Sequence, residues 1–506
     1  MSTSQSQNGE LLIVMHGNDL EYLNIALNIF EDQKRFYNEI KFVDISNILS
    51  KQDTFSRGLL KIIGKSSPDD IIFKKLESLG LNISRTLKKN LTELQNSVPS
   101  ASLNSINESV QSSLISISEN ENPENSRWLV KRKARYLREG IITYNAIKNY
   151  LKINTHITHV AIPNGRFPCQ CGAVNAVMDS GLKFISYERG TYENEISDIL
   201  YSHERYLVAK NYWYSSYTPQ SRIEKQREIL SMNIEPELIN SSKVNEWFLS
   251  RRQSSGTNRF AQGWNQSYDI DSTSKLAVLF TSSVDEFAVM GPSWREAKWK
   301  DQWQAFDFLI PKLLEQKYKI VLRVHPNLHR KRKKSRKTTE LNVRLLARKF
   351  PKIYIVNPSS KVNSYKLVEK AEIVFSWYST ISLEASQMGV RSVCLNSSEY
   401  DLVADVKRWH SVEEIDFKSL QNWTVDKTGA LKYIAGLFLL DNECKKLLLK
   451  YGINSQEYSK GLALFANKWA MRNTNKPTNL ISILIPKKLF LKLRKIKNIK
   501  YALVEQ

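Results

Sequence analysis

The chain has few cysteines and no long uninterrupted apolar run. Four cysteines in 506 residues are too few for a disulfide framework, which favours a reducing compartment. No stretch approaches the roughly 18 consecutive apolar residues that suggest a membrane-spanning helix. The N-terminus, MSTSQSQNGELLIVMHG, lacks the basic segment of a secretory signal. We therefore expect a cytoplasmic protein without a membrane span.

Motifs for metal and nucleic-acid binding are also missing. Cys169 and Cys171 form a Cys-x-Cys pair, but no second pair follows at the spacing of zinc ligands. No DxD-like acidic pair is placed to hold a metal ion. Zinc-finger spacing and the RNP-type aromatic motif are absent, which argues against a nucleic-acid-binding protein. We expect a protein that needs neither a metal nor another cofactor.

Positive charge is abundant, with a formal net charge of +23. Such an excess favours anionic partners, namely nucleic acid, anionic lipid or phosphorylated substrates. The run HRKRKKSRK (329–337) either borders a binding cleft or is a solvated loop. The tail IPKKLFLKLRKIKNIKYAL (485–503) resembles a basic amphipathic helix suited to an anionic membrane surface, or it is a closing helix with its basic side in water.

Short apolar strands alternate with helical segments in two parts of the chain. This pattern predicts an α/β protein with two Rossmann-like, doubly wound domains that face each other across a cleft. The N-terminal domain is predicted over 1–255, with a polar helical insertion near 80–127. Residues 251–274 suit a linker, and the C-terminal domain is predicted over 270–475, followed by a basic amphipathic tail over 476–506.

The segment VLRVHP ends a predicted strand with three notable residues. Arg323 and His325 are two apart and therefore share a strand face. Pro326 stops the strand because it cannot extend the hydrogen-bonded ladder. Ligands in open α/β sheets bind beyond the carboxyl ends of the strands. The imidazole is thus a candidate phosphate ligand or base, and the alternative is a structural histidine that caps a loop.

A second cluster follows the predicted strand 371–377. Ser379 and Thr380 precede the helical segment ISLEASQMG, and both residue types are good helix N-caps. A helix N-terminus attracts anions through its free N–H groups and its dipole. Glu384, one turn further on, is a candidate ligand for ribose hydroxyls. The alternative is an ordinary cap followed by a solvated glutamate.

A third cluster follows the predicted strand 275–283. Ser282, Ser283 and Asp285 lie at its carboxyl end, either as ligand-binding groups or as a simple turn and cap. These residues complete the candidate donor site at three strand ends of one predicted sheet.

The first half of the chain has comparable strand ends, in IPNGRF (162–167) and SYERG (186–190). Asn164 and Arg166 are predicted to face the cleft. Glu188 is the candidate general base, because a carboxylate across a cleft from a bound phosphate could deprotonate an incoming hydroxyl. A salt-bridge role for Glu188 is the alternative.

The ordered set of RVHPN and WYSTISLEASQMG resembles the His-Pro and Ser-Ser/Thr motifs of bacterial surface-polysaccharide glycosyltransferases of the GT-B type. That group includes capsule polysaccharide biosynthesis proteins, sialyltransferases and Kdo transferases. NGR, YERG and FTSSVDEF resemble stretches of the capsule-type members, so the resemblance covers about residues 155–400.

The resemblance implies a GT-B fold and metal-independent transfer of a sugar from a nucleotide-activated donor to a glycan or lipid-linked acceptor. By the same resemblance, His325, Ser379 and Thr380 contact the donor phosphates and Glu384 contacts the nucleoside. Peripheral association with the inner face of the plasma membrane is expected through the tail. A teichoic-acid-like glycerophosphotransferase and a sugar-nucleotide epimerase remain alternatives with a similar architecture.

Overall fold

A computed structural model describes residues 9–15, 20–45, 83–84, 98–119, 123, 127–189, 212–214, 219–252, 275–283, 288, 296–331 and 333–441. These residues form two six-stranded sheets with helices between the strands. The predicted α/β class with two doubly wound sheets is therefore confirmed. The arrangement of the two sheets across a cleft stays a prediction. Asp285, the linker residues 253–274 and the tail 476–506 lie outside the described residues.

The first sheet has the strand order β3-β2-β1-β4-β5-β6. All neighbours are parallel except the antiparallel pair of β5 and β6. The strands are β1 (Glu10–Met15), β2 (Glu39–Asp44), β3 (Ile83–Ser84), β4 (Ile157–Pro163), β5 (Lys183–Arg189) and β6 (Tyr212–Tyr214).

Helices cover both faces of this sheet because β1 is apolar on both sides. Leu11, Ile13 and Met15 pack with α1 (Leu20–Gln33), while Leu12 and Val14 pack on the opposite face. That opposite face carries α2 (Ser100–Ser118), α3 (Arg127–Ile153) and α4 (Pro168–Met178). α2 lies inside the predicted insertion 80–127, and it buries three apolar side chains in this core: Ile106, Val110 and Leu114.

The second sheet is entirely parallel, with the order β9-β8-β7-β10-β11-β12. Its strands are β7 (Leu276–Phe280), β8 (Lys319–Arg323), β9 (Tyr354–Val356), β10 (Ile373–Ser376), β11 (Arg391–Cys394) and β12 (Lys407–Arg408). Its helices are α8 (Gln302–Glu315), α9 (Lys333–Lys349), α10 (Ser364–Lys370), α11 (Ile381–Met388), α12 (Phe417–Gln421) and α13 (Lys427–Leu440). Two short 3-10 helices, Pro326–Arg330 and Val412–Glu414, complete this part.

Three helices that precede the second sheet in the chain also pack against it. α5 (Pro219–Ser231), α6 (Pro236–Ile239) and α7 (Ser242–Arg252) share an apolar core with α13. The Arg222 guanidinium donates to the Ser398 carbonyl at 2.7 Å and pairs with Glu296. The predicted domain boundary near 255–270 stays a prediction, but residues 219–252 make these core contacts with the second sheet's side.

The strand order of each sheet reverses once. The reversal lies between β1 and β4 in the first sheet and between β7 and β10 in the second. In open α/β sheets, ligands usually bind at such a reversal, beyond the carboxyl ends of the strands. None of the helices within the described ranges is long and apolar enough to cross a membrane.

Candidate functional site

Hydrogen bonds connect the carboxyl ends of β8, β7 and β10. The His325 backbone N–H donates to the Thr281 hydroxyl at 2.8 Å, which joins the end of β8 to that of β7. The Ser282 hydroxyl donates to the Tyr378 carbonyl at 2.7 Å and accepts from the Tyr378 N–H at 2.9 Å. Three predicted clusters therefore meet at the switch point of the second sheet.

Ser282 positions the backbone of this junction. Its hydroxyl both donates to and accepts from Tyr378, so its one donor hydrogen is used. Gln302 holds the Ser282 backbone on both sides, accepting from its N–H at 2.8 Å and donating to its carbonyl at 3.3 Å. Ser283 follows and is also buried. Ser282 therefore supports the strand ends, and its contact with a donor stays a prediction.

His325 begins the 3-10 helix Pro326–Arg330. Its Nδ1 accepts from the Asn327 N–H at 3.2 Å, so the side chain caps that helix. Pro326 follows at the first helical position, where its missing N–H costs nothing. Because Nδ1 acts as an acceptor, the neutral ring carries its hydrogen on Nε2, a tautomer assigned from this hydrogen bond. His325 therefore caps the loop, as the alternative expects, and its predicted contact with a phosphate stays a prediction.

Arg323 lies in the core instead of at the surface of the junction. Its side chain is fully buried, and its guanidinium donates to Asn357 O at 2.6 Å, Val362 O at 3.3 Å and Ser364 Oγ at 3.4 Å. Burial lowers the pKa of Arg323 to about 10, which keeps the group charged near neutral pH. Arg323 therefore supports the loop between β9 and α10 through these contacts, and a contact with the donor stays a prediction.

Ser379 and Thr380 lie at the N-terminus of α11, as the sequence predicts, but they act differently. The Ser379 hydroxyl accepts from the Ile381 N–H at 3.3 Å. Thr380 makes no capping bond with its side chain; its Oγ1 accepts from Arg251 Nη2 at 3.0 Å. Ser379 is therefore the hydroxyl that caps the helix, and Thr380 connects the helix end to Arg251.

Glu384 is buried and paired with Arg251 instead of being solvated. It is 1% exposed and accepts from Arg251 Nε at 2.5 Å. Burial lowers the pKa of Arg251, but the charges of Glu384 and Tyr365 and the hydrogen bonds to both side chains together offset it, so the net pKa is raised. The Arg251 guanidinium also lies 4.8 Å from the centre of the Trp247 ring. The alternative of a solvated glutamate is therefore wrong, because Glu384 forms a buried ion pair, and its predicted contact with a nucleoside stays a prediction.

Arg251 and Arg252 are functional candidates that the sequence patterns missed. They form the last turn of α7, whereas the composition of 251–274 predicts a linker. Arg252 Nη2 donates to the Gln387 side chain, and burial lowers the pKa of Arg252. Both arginines therefore lie along α11, whose N-terminus is the positive end of the helix dipole. An anion at that N-terminus would be attracted by the helix end and by Arg251, whereas Arg252 contacts Gln387 near the other end of the helix.

A second polar cluster lies at the ends of β4 and β5 in the first sheet. Glu188 accepts hydrogen bonds from the Tyr22 hydroxyl and from Asn164 Nδ2. Asn164 has a φ of +56° and Gly165 a φ of +86°, so a left-handed turn directs the chain out of β4. The structure thus brings the predicted Asn164 and Glu188 together and adds Tyr22, which no sequence pattern had singled out.

Arg166 completes this first-sheet cluster. Its N–H donates to Asn164 Oδ1 at 3.0 Å. Its Nη1 contacts the hydroxyls of Ser112 and Ser116 at 3.0 and 3.1 Å, and its guanidinium lies 4.4 Å from the Phe167 ring centre. The guanidinium is therefore held against α2, which places a fixed positive charge beside Glu188's hydrogen-bond partner.

No group of His, Cys, Asp and Glu side chains within the described ranges is arranged to hold a metal ion. Cys169 and Cys171 are not paired with further ligands of this kind, and burial raises the pKa of both thiols. Independence from metal stays a prediction.

No protein-family model matches the chain, and no curated protein matches it. Among solved structures, the chain is similar to a Thermosulfurimonas dismutans KpsC β-Kdo 2,7-transferase, at 12% identity and a TM-score of 0.33, over 58% of this chain and 79% of that one. It is also similar to a Neisseria meningitidis UDP-GlcNAc 2-epimerase bound to UDP-GlcNAc, at 11% identity and a TM-score of 0.28, over 90% and 99% of the two chains.

Proposed function

We propose that the protein is a glycosyltransferase that moves a sugar from a nucleotide-activated donor to a growing cell-surface polysaccharide of the capsule or lipopolysaccharide type. The observation that carries the proposal is the junction of β7, β8 and β10, where the His325 and Ser379–Thr380 motifs are joined through Thr281 and Ser282. The junction lies at the topological switch point of a parallel Rossmann-like sheet, where such folds bind ligands.

The phosphate or diphosphate of the donor would lie across this junction. His325 and the α11 N-terminus follow strands that are two positions apart, which is about 10 Å at the usual strand spacing. Nε2–H of His325, the N–H groups of the helix end and the Arg251 guanidinium are donors or positive charges that can stabilise phosphate oxygens. As the sugar–phosphate bond breaks, these fixed groups would stabilise the charge that develops on the leaving nucleotide.

Glu188 is the proposed general base. The acceptor hydroxyl would lose its proton to the Glu188 carboxylate while its oxygen forms the new bond to the anomeric carbon and the nucleotide departs. Asn164 and Tyr22 hold the carboxylate in place by donating to it. Arg166, fixed against α2, suits an acceptor that carries negative charge.

The working location proposed for the enzyme is the inner face of the plasma membrane, where a lipid-linked acceptor would be available. The basic amphipathic sequence 485–503 supports this proposal, since such sequences bind anionic bilayers.

The test is donor turnover by the full-length protein with a panel of nucleotide-sugars and CDP-glycerol. The proposal expects release of a nucleoside mono- or diphosphate from one nucleotide-sugar and transfer of its sugar to an acceptor in a lipid extract. The Glu188→Gln variant should lose transfer while it still binds the donor. An isomerised sugar on an intact nucleotide would indicate an epimerase instead. CMP released from CDP-glycerol alone would indicate a glycerophosphotransferase.

A further inference from the structure

The surface helix α9 and its flanks carry an unusual concentration of positive charge. Residues 329–352 contain eleven lysines and arginines and one acidic residue, so this short segment supplies a large part of the net charge of +23. α9 itself runs from Lys333 to Lys349 and connects β8 to the edge strand β9. The helix begins a few residues after His325, on the chain that leaves the candidate site.

Only a few side chains of α9 and its C-terminal flank pack against the core of the second sheet. Leu346 is buried, and Val343 and Phe350 pack against the core of the second sheet. Leu341 and Leu345, by contrast, are 55% and 51% exposed. These two leucines are one helical turn apart, so they form a continuous apolar strip on the outer side.

Basic side chains share that outer side. Lys337, Arg344 and Arg348 are exposed and lie at the same helical spacing as Leu341 and Leu345. The one acidic residue of the helix, Glu340, is half-buried and lies 3.9 Å from Arg344. We call the five residues Lys337, Leu341, Arg344, Leu345 and Arg348 the outer face of α9.

We propose that the outer face of α9 is a docking surface for an anionic lipid bilayer. Cationic side chains around exposed apolar ones are what an interfacial helix presents to a membrane: the charges attract anionic headgroups, and the apolar side chains enter the headgroup region. A soluble polyanion would be complementary to the charges alone. The two leucines therefore favour a bilayer, and this inference does not depend on the proposed enzymatic activity.

The experiment measures binding of the full-length protein to vesicles of phosphatidylcholine alone and of phosphatidylcholine with phosphatidylglycerol. Two variants alter the outer face, one with Lys337, Arg344 and Arg348 changed to Gln and one with Leu341 and Leu345 changed to Gln. Matched controls change the exposed Lys131, Lys133 and Arg138 of α3 to Gln, or the exposed Leu230 and Leu439 to Gln. Circular dichroism checks that all four variants remain folded.

The wild type is expected to bind the anionic vesicles and to lose binding as salt is raised. The charge variant should bind about tenfold more weakly or worse, and the leucine variant about fivefold more weakly, whereas both controls should bind like the wild type. The inference fails if both outer-face variants bind like the wild type, because other parts of the chain would then account for binding. It also fails if only the charge variant is weakened. The leucines would then contribute nothing to binding, and charge alone would account for it, as at a site for soluble polyanions.

Discussion

The ion pair of Arg251 and Glu384 joins the last turn of α7 to the first turn of α11. Glu384 is buried, whereas about a third of the Arg251 side chain reaches solvent. Removal of the arginine would therefore leave a buried carboxylate without its charged partner. This should destabilise the fold more than removal of the carboxylate, because Arg251 is partly solvated.

Arg251→Gln is expected to lower the free energy of unfolding by about 2 kcal/mol, below the full cost for a buried pair because Arg251 is partly solvated. Glu384→Gln should cost less, and the double variant should resemble Glu384→Gln alone. Urea titration of the four proteins gives the coupling energy of the pair. Additive effects of the two single changes would show that the pair does not stabilise this junction.

Arg323 supports a loop, so its replacement should affect stability and leave ligand binding intact. Arg323→Lys keeps the charge but loses the planar fork that reaches the Asn357 and Val362 carbonyls. We expect a loss of about 2 kcal/mol in the free energy of unfolding, because buried carbonyls lose their donors. Nucleotide affinity, measured by calorimetry below the melting temperature, should stay within about twofold of the wild type. A tenfold loss of nucleotide affinity would indicate instead that Arg323 contributes to donor binding.

At the scale of elements, close contact between helices depends on glycine. A Cβ on Gly172 of α4 would lie 2.3 Å from the Gly140 carbonyl oxygen and 3.1 Å from the Tyr144 nitrogen, both in the backbone of α3. A Cβ on Gly436 of α13 would instead meet side-chain atoms of Ile229, at 2.6 Å from Cγ2, and no backbone atom of a neighbouring helix is among its nearest contacts.

Gly172→Ala should therefore lower the free energy of unfolding by about 1–3 kcal/mol, since α3 must shift. This strain exceeds the gain of about 1 kcal/mol in helix propensity. Gly436→Ala, the matched control in another helix, should cost less. The measurement is the urea midpoint of each variant, and a Gly172→Ala protein as stable as the wild type would contradict the close approach of α3 and α4.

Elements were more predictable than contacts. The strands β7 and β10 lie within the predicted segments 275–283 and 371–377, and β8 ends inside VLRVHP, because buried parallel strands have a strong local pattern. The role of Arg323 could not be predicted, since its carbonyl partners lie at least 34 positions further along the chain. Arg251 was missed because the composition after it resembles a linker, although α7 continues to Arg252.

At the scale of the molecule, two Rossmann-like sheets each bring predicted residues together at a carboxyl edge. His325, Ser379 and Thr380 lie at the edge of the second sheet, and Asn164, Arg166 and Glu188 lie at that of the first. A base at the first sheet can act on a donor bound at the second only if these two edges approach each other. The predicted GT-B arrangement would bring them together. The proposed glycosyl transfer requires, before anything else, that the second sheet binds the donor.

Nucleotide binding to the wild type, His325→Asn and His325→Ala therefore tests the account most directly. Asparagine can still accept from the Asn327 N–H as an N-cap, so His325→Asn should keep the stability of the fold while it loses the Nε2–H donor. Calorimetry with CMP, CDP, UDP, GDP and their sugars should find one ligand that binds the wild type and binds His325→Asn at least about tenfold more weakly. Equal nucleotide affinity of the wild type and His325→Asn would contradict a donor site at this junction. So would the absence of binding of any nucleotide to the wild type at roughly 1 mM.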